Sequence, residues 1–295
     1  MECSREKGGQ IMEYENLVDN FLSWAKTEEA VQAAIMIGSR ARTDVPADRW
    51  SDLDILLITD TPGLLLDSEE WLGHIGAYSI TFLEKTAVGG SLERRVLFEP
   101  DLDVDFAVFT HEHFTNMLSL DEVKLVFKRG YKVLIDKIHI HKRIEVIDFA
   151  KENQSSVQPA AQQYDNVVQD FYYHAVWTMK KMLRGELWVA KDCLDDNMKS
   201  LLLQMIEWHA KAVNQTEPWH NGRFIEKWAD PRAVQAFIHL FATYEKEDMH
   251  RALLKSMKLF ALLARETGAH LGCAYPFKAE NKAFNFVEIH YSQLL

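Results

Sequence analysis

The stretch GSRARTDVPADRWSDLDILLITD, Gly38 to Asp60, decides how this chain folds and what chemistry it is equipped for. A short apolar run, Ala33 to Ile37, leads into it and reads as a buried strand that stops at Gly38. A second run, Leu53 to Thr59, reads as another buried strand, closed by Thr61-Pro62-Gly63. Between them, Ala41 to Ser51 carries Thr43, Asp44, Pro46 and Asp48, the composition of a loop. Asp52 and Asp54 do not fit an apolar strand. At i and i+2 they project from the same face. A carboxylate in such a place is costly unless it is paired or binds a metal.

The same anomaly recurs at Asp105. In VDFAVF, Val104, Phe106 and Val108 alternate on one face and Asp105 takes the other. Three converging carboxylates repel one another, and divalent cations remove that repulsion; an all-oxygen set suits Mg²⁺. Two such ions roughly 4 Å apart orient an attacking hydroxyl and offset charge on a leaving pyrophosphate. Gly38-Ser39 supplies the complementary half. Glycine lets the backbone approach a phosphate and serine adds N–H and hydroxyl donors. Arg40 and Arg42 are candidates for phosphate oxygens. Each piece alone is commonplace. The specific signal is their order: strand-Gly-Ser, loop, Asp-x-Asp-strand, and later an Asp in a strand.

Outward from this stretch the first half alternates helix and strand. Glu15 to Lys26 has a helical repeat of apolar residues, and the polar segment before Met12 reads as a loose tail. Glu69 to Ile75 suggests a short helix. Tyr78 to Leu83 and Arg95 to Phe98 suggest strands joined across a Gly89-Gly90 turn, and Tyr131 to Ile135 a last strand. A linker, Glu152 to Gln163, separates this from a helical second half. There the apolar stripe from Val167 to Leu183 ends at Arg184-Gly185; Leu187 to Ala212 and Met249 to Arg265 repeat the pattern, the latter stopping at Gly268.

Bulk properties narrow the function. With 295 residues the chain has room for two modest domains. The net charge of −11 disfavours duplex nucleic acid and suits a cationic small molecule. Cys3, Cys193 and Cys273 lack metal or disulfide spacing. No apolar run approaches the roughly 20 residues of a membrane span, and the N-terminus has no hydrophobic signal core, so a cytoplasmic protein is expected. His111-Glu112-His113 and His139-Ile140-His141 would share a strand face but lack a third ligand. Trp50, beside the acid pair, reads as loop packing or a platform for a base. Asp170, Asp192, Asp195 and Asp196 offer carboxylates to a cationic acceptor.

Gly38-Ser39 with Asp52-x-Asp54 resembles the signature of the polymerase-β-like nucleotidyltransferases. The nearer likeness is to the aminoglycoside 6-adenylyltransferases, also called streptomycin adenylyltransferases. It rests on Gly38 to Asp60, VDFAVF, GYKVLIDK (Gly130 to Lys137), DFYYHAVWTMKKMLRGELWVAK (Asp170 to Lys191) and LLLQMIEWH (Leu201 to His209), nearly the whole chain from Met12. The resemblance implies an α+β fold: an N-terminal nucleotidyltransferase domain (1–137) with a mixed β-sheet flanked by helices, a linker (138–160), and a C-terminal helical bundle that binds substrate (161–295). ATP and acceptor would lie in the cleft between. It implies Mg²⁺-dependent transfer of AMP from ATP to a hydroxyl of an aminoglycoside, the 6-position of streptomycin, with pyrophosphate released and antibiotic resistance as the consequence. Asp52, Asp54 and Asp105 would be catalytic and hold the metal; Gly38, Ser39, Arg40 and Lys191 would bind ATP. The expected partners are ATP and a cationic aminoglycoside, with no nucleic acid or membrane, in a monomer or homodimer. Val189 replaces a tyrosine more usual in the family, and Ile138 to Gln158 and the segment between Asp54 and Asp105 match less well, so acceptor-facing residues transfer least. Two alternatives stand beside this: another acceptor, small molecule or protein hydroxyl, and a non-catalytic nucleotide-binding relative. Three retained costly acids argue against the second.

Overall fold

The computed structural model describes residues 2–42, 47–87, 89–147 and 159–294, with side chains from 13 onward apart from that of His220. The chain divides into two compact units, Met1–Glu152 and Asn153–Leu295.

The first unit is built on six strands: β1 (Ala33–Ile37), β2 (Leu53–Ile58), β3 (Tyr78–Lys85), β4 (Leu92–Phe98), β5 (Leu102–Phe109) and β6 (Lys132–Asp136). They form one sheet in the order β3-β4-β5-β2-β1-β6. The sheet is mixed: β2 and β5 run parallel and the other neighbours antiparallel. Parallel strands buried on both faces read as continuous apolar runs, which is why β2 and β5 stand out in the sequence.

Each face has its own core. Leu53, Ile55, Leu57, Val104, Phe106 and Val108 pack on one side against α1 (Glu2–Thr27) through Tyr14, Leu17, Phe21 and Ala25, and against α2 (Pro62–Leu66) and a short 3₁₀ turn carrying Trp71 and Leu72. Burial of these side chains, at about 25 cal/mol per Å², is what holds the layers together. On the other side Ile35, Leu56, Ile58, Ala107 and Phe109 pack beneath α3 (His111–Met117), α4 (Asp121–Arg129) and α5 (His141–Glu145) through Phe114, Met117, Val123, Phe127 and Ile144. That second cover stops short. It spans the ends of β2 and β5 at Ile58 and Phe109, not their beginnings at Asp54 and Asp105.

The second unit is helical: α6 (Ala161–Leu183), α7 (Leu187–Asp192), α8 (Met198–Ala212), α9 (Ile225–Trp228), α10 (Pro231–Ala236), α11 (Lys246–Leu271) and α12 (Phe277–Ile289). A π-helical turn, Cys193–Asn197, joins α7 to α8. Phe171 of α6 stacks on Phe260 of α11 with ring centroids 3.7 Å apart. His209, Glu266, Arg232 and Asp230 form a chain of charge-assisted contacts, His209 Nε2 lying 2.7 Å from Glu266 and Arg232 bridging Glu266 and Asp230 at 2.7–2.9 Å.

Several sequence expectations change. The segment before Met12 is helical, part of α1, and not a loose tail. Gly268 does not end α11; the helix runs on to Leu271 and turns at Gly272, whose φ is +67°. Gly268 is needed instead for close packing, because a Cβ there would sit 2.5 Å from the Tyr164 hydroxyl. The two histidine pairs lie at helix starts, not on strands. The last residues of the expected linker, 161–163, open α6; residues 148–158, like Thr43, Asp44 and Pro46, lie outside the described residues. Among the described residues no helix is long and apolar enough to cross a membrane.

Candidate active site

Asp54 is the second residue of β2 and Asp105 the fourth of β5, and the parallel register pairs them directly. Alternation puts both on the half-uncovered face. Asp52 precedes β2 and turns the same way. Each acid offers an oxygen within 4.8 Å of the others'. The site is therefore a product of register: a one-residue slip of β2 against β5 would send Asp54 into the opposite core.

The turn after β1 completes it. Ile37 pairs with Asp54 across β1 and β2, and Gly38 enters a 3₁₀ turn with φ +71°. A Cβ at Gly38 would lie 1.9 Å from Asp54 Oδ2, so only glycine lets this turn sit against the carboxylate. Ser39 Oγ and Asp105 Oδ1 are both buried without a hydrogen-bond partner. Buried polar atoms are nearly always satisfied, so the unpartnered Asp105 oxygen within the acid cluster is one a ligand could use.

Electrostatics agree. Burial pushes Asp54 up to about 7, with the charges of Asp52, Asp105 and Glu93 adding to it and Arg42 opposing. Burial likewise raises Asp105 to about 7 against the pull of Arg95, helped by Glu93, Asp103 and Asp52. Such shifts cluster where chemistry occurs. An all-carboxylate set with one buried free oxygen fits Mg²⁺, a hard cation that takes oxygen ligands.

Three supporting side chains escaped the sequence reading. Arg95, opposite Asp105 on β4, donates from Nη2 to Asp105 Oδ2 at 2.8 Å. Glu93, two residues earlier on the same face, sits 3.2 Å from Arg95 Nε. Tyr14, on α1, accepts a hydrogen bond from the Asp103 N–H at 3.1 Å and carries the Arg40 guanidinium on its ring at 3.4 Å. Beside the acids an apolar hollow of about 180 Å³ runs under α3 and α4, with Asp54, Glu93 and Asp105 at one end and Leu56, Phe109 and Phe127 among its walls.

The remaining expected site residues are placed as follows. Arg40 donates from Nε to the Asp52 carbonyl at 3.0 Å and from Nη2 to the Ser51 carbonyl at 2.6 Å. Its guanidinium thus fastens the loop that delivers Asp52. Trp50 is 72% exposed, with Arg49 over its ring at 4.0 Å. Lys191 belongs to the second unit, on α7, where it pairs with Asp195 of the π-helical turn. Lys199 is 4.0 Å from the same carboxylate, and burial lowers its amine to about 8. Asp170 pairs with His174 at 2.6 Å.

A family model described as streptomycin adenylyltransferase matches residues 11–289. An aminoglycoside 6-adenylyltransferase of Campylobacter jejuni is 24% identical over 283 residues, covering 91% of this chain and 92% of that protein. One from Bacillus subtilis (strain 168) is 21% identical over 273 residues, covering 89% and 92%. A crystal structure of an aminoglycoside 6-adenyltransferase from Bacillus subtilis aligns over 93% of this chain and 97% of that one at 17% identity, with a TM-score of 0.45.

Proposed function

Since the chain belongs to the streptomycin adenylyltransferase family and is a nucleotidyltransferase, we propose that it transfers AMP from ATP to a hydroxyl of an aminoglycoside, the 6-position of streptomycin. Pyrophosphate is the second product, and resistance to the drug is the biological consequence. One observation carries the reading: three carboxylates, two of them paired in register on parallel strands, converge beside a Gly-Ser turn that has a buried hydroxyl to offer.

Asp52, Asp54 and Asp105 are the residues that would hold Mg²⁺. When bound, the metal neutralises the three acids and the phosphate charge and acidifies the acceptor hydroxyl. The Gly38-Ser39 turn and the Ser39 hydroxyl hold the terminal phosphates, and Lys191 is a further candidate for ATP. Arg40 acts on Asp52 through the loop backbone and is a positioning residue. The acceptor oxygen forms a bond to the α-phosphorus as the bond from that phosphorus to the β-phosphate oxygen breaks. Asp105 takes the hydroxyl proton. Arg95 fixes its Oδ2 and leaves Oδ1 open, which suits Asp105 to general-base work by geometry. The added AMP carries negative charge and bulk, which spoils the fit of a cationic drug to ribosomal RNA.

The test is pyrophosphate release by purified protein with Mg²⁺ and ATP across a panel of streptomycin, other aminoglycosides, a lincosamide and protein hydroxyl acceptors. Release with streptomycin, abolished in Asp52→Asn, is the expected result. Release only with a non-aminoglycoside would reassign the acceptor, and ATP binding without release on any acceptor would point to a non-catalytic relative.

A further inference from the structure

The uncovered sheet face next to the acids has a composition that folding does not explain. The strand registers run one row across it: Phe82 of β3 opposite Arg95 of β4, Arg95 opposite Asp105 of β5, and Asp105 beside Asp54 of β2. In the next row Glu84 stands directly opposite Glu93. Like charges in that relation destabilise a sheet. Arg95 is the cation that mediates, with Nε 3.4 Å from Glu84 and 3.2 Å from Glu93 while Nη2 holds Asp105. One guanidinium therefore answers three carboxylates, and Asp105, only 6% exposed, still has Oδ1 without a partner. On the same face Ile80 and Phe82 are 55% and 48% exposed. Edge strands ordinarily avoid apolar exposure of this kind.

Surplus carboxylates beside an exposed aromatic ring are a donor set for a flat molecule with basic substituents. The carboxylates take ammonium or guanidinium groups, and the ring covers the apolar face of a sugar or cyclitol. Resting on the adenylyltransferase reading above, we propose that Glu84, Glu93 and Phe82 form the acceptor subsite, gripping a basic group of the cationic acceptor so that a neighbouring hydroxyl meets Asp105. Arg95 keeps Asp105 in place through Nη2 while the ligand's cation relieves Glu84 and Glu93. The like-charge pair is then a folding liability retained for binding, as functional sites often are.

Calorimetric titration of streptomycin into protein saturated with a non-hydrolysable ATP analogue and Mg²⁺ tests this, with turnover measured in parallel. In the double variant Glu84→Gln, Glu93→Gln, drug affinity is expected to fall by about tenfold or more, the loss typical of removing one partner of a charge pair. Phe82→Ala is expected to weaken it by about fivefold or more. Affinity for the ATP analogue should stay within about twofold in Phe82→Ala, which leaves Gly38-Ser39 and the charges around Asp54 and Asp105 as they are. The metal-free melting temperature of the Gln variant should equal or exceed that of the wild type, which separates lost binding from lost folding. Drug affinity in the Gln variant within about twofold of wild type would overturn the subsite even if pyrophosphate release is normal. Drug bound through these carboxylates but never adenylylated would instead overturn the reaction and leave the subsite standing. A wild type that binds no drug would overturn the subsite.

Discussion

Replacing Asp54 with asparagine should stabilise the metal-free protein while removing its activity. Burial and its neighbours raise the Asp54 carboxyl from 3.8 to about 7. The folded state thus holds this proton more tightly than the unfolded chain does. The resulting stability is fully present below the unfolded value near 3.8 and is lost as pH rises through about 7. At about 1.4 kcal/mol for each tenfold change in proton affinity, the loss approaches about 4 kcal/mol. Part of it is repulsion shared with Asp105, and water reaches the open face, which leaves about 2 kcal/mol. Asparagine has nearly the same shape and cannot ionise. In EDTA near pH 8 the variant should therefore melt roughly 4–8 °C above wild type, taking the usual scaling for a unit of about 150 residues. Toward pH 4, close to the unfolded value, the two should converge. Differential scanning calorimetry at both pH values reads this directly. A variant that melts below wild type near pH 8, or a gap that does not change with pH, would refute the claim that the acids repel one another in a buried cluster.

Three further outcomes follow from single side chains. Gly38→Ala places a Cβ 1.9 Å from Asp54 Oδ2 at a φ of +71°; it should lower turnover about 100-fold or more by displacing the carboxylate, measured as pyrophosphate release. Arg95→Met removes the charge that holds the Asp105 carboxyl down, so the pH at which Mn²⁺ binds, followed by electron paramagnetic resonance, should move upward, with Arg95→Lys partly restoring it. Gly268→Ala pushes the Tyr164 hydroxyl off the Ala264 carbonyl it donates to at 2.6 Å; the cost should be about 1–3 kcal/mol by urea denaturation. An unchanged urea midpoint would contradict the close packing of α6 on α11.

The strands and the acids were legible for the same reason. β2 and β5 are buried on both faces and so read as unbroken apolar runs, against which Asp54 and Asp105 stand out. Arg95 and Glu93 sit in LERRVLF, where charges fall on both faces and resemble an ordinary surface strand; only the register with β5 shows that Arg95 meets Asp105. Tyr14 lies in the apolar stripe of α1, and nothing in the local pattern separates its hydroxyl contact with Asp103 from core packing. Arg40 follows Gly-Ser, a setting that suggests phosphate; its bonds to the loop carbonyls of Ser51 and Asp52 depend on how the loop folds and carry no local sequence signal. The end of α11 was misplaced because glycine commonly stops helices; at Gly268 the missing side chain makes room for Tyr164 instead. The π-helical turn at Cys193–Asn197 has no sequence signal, since it differs from an α-helix by one residue of register.

The most direct test of the central claim is anomalous diffraction from crystals grown with Mn²⁺ and a non-hydrolysable ATP analogue. The account predicts manganese held among Asp52, Asp54 and Asp105, with the terminal phosphates of the nucleotide against Ser39. Manganese bound elsewhere, or a nucleotide seated away from the Gly38-Ser39 turn, would contradict it.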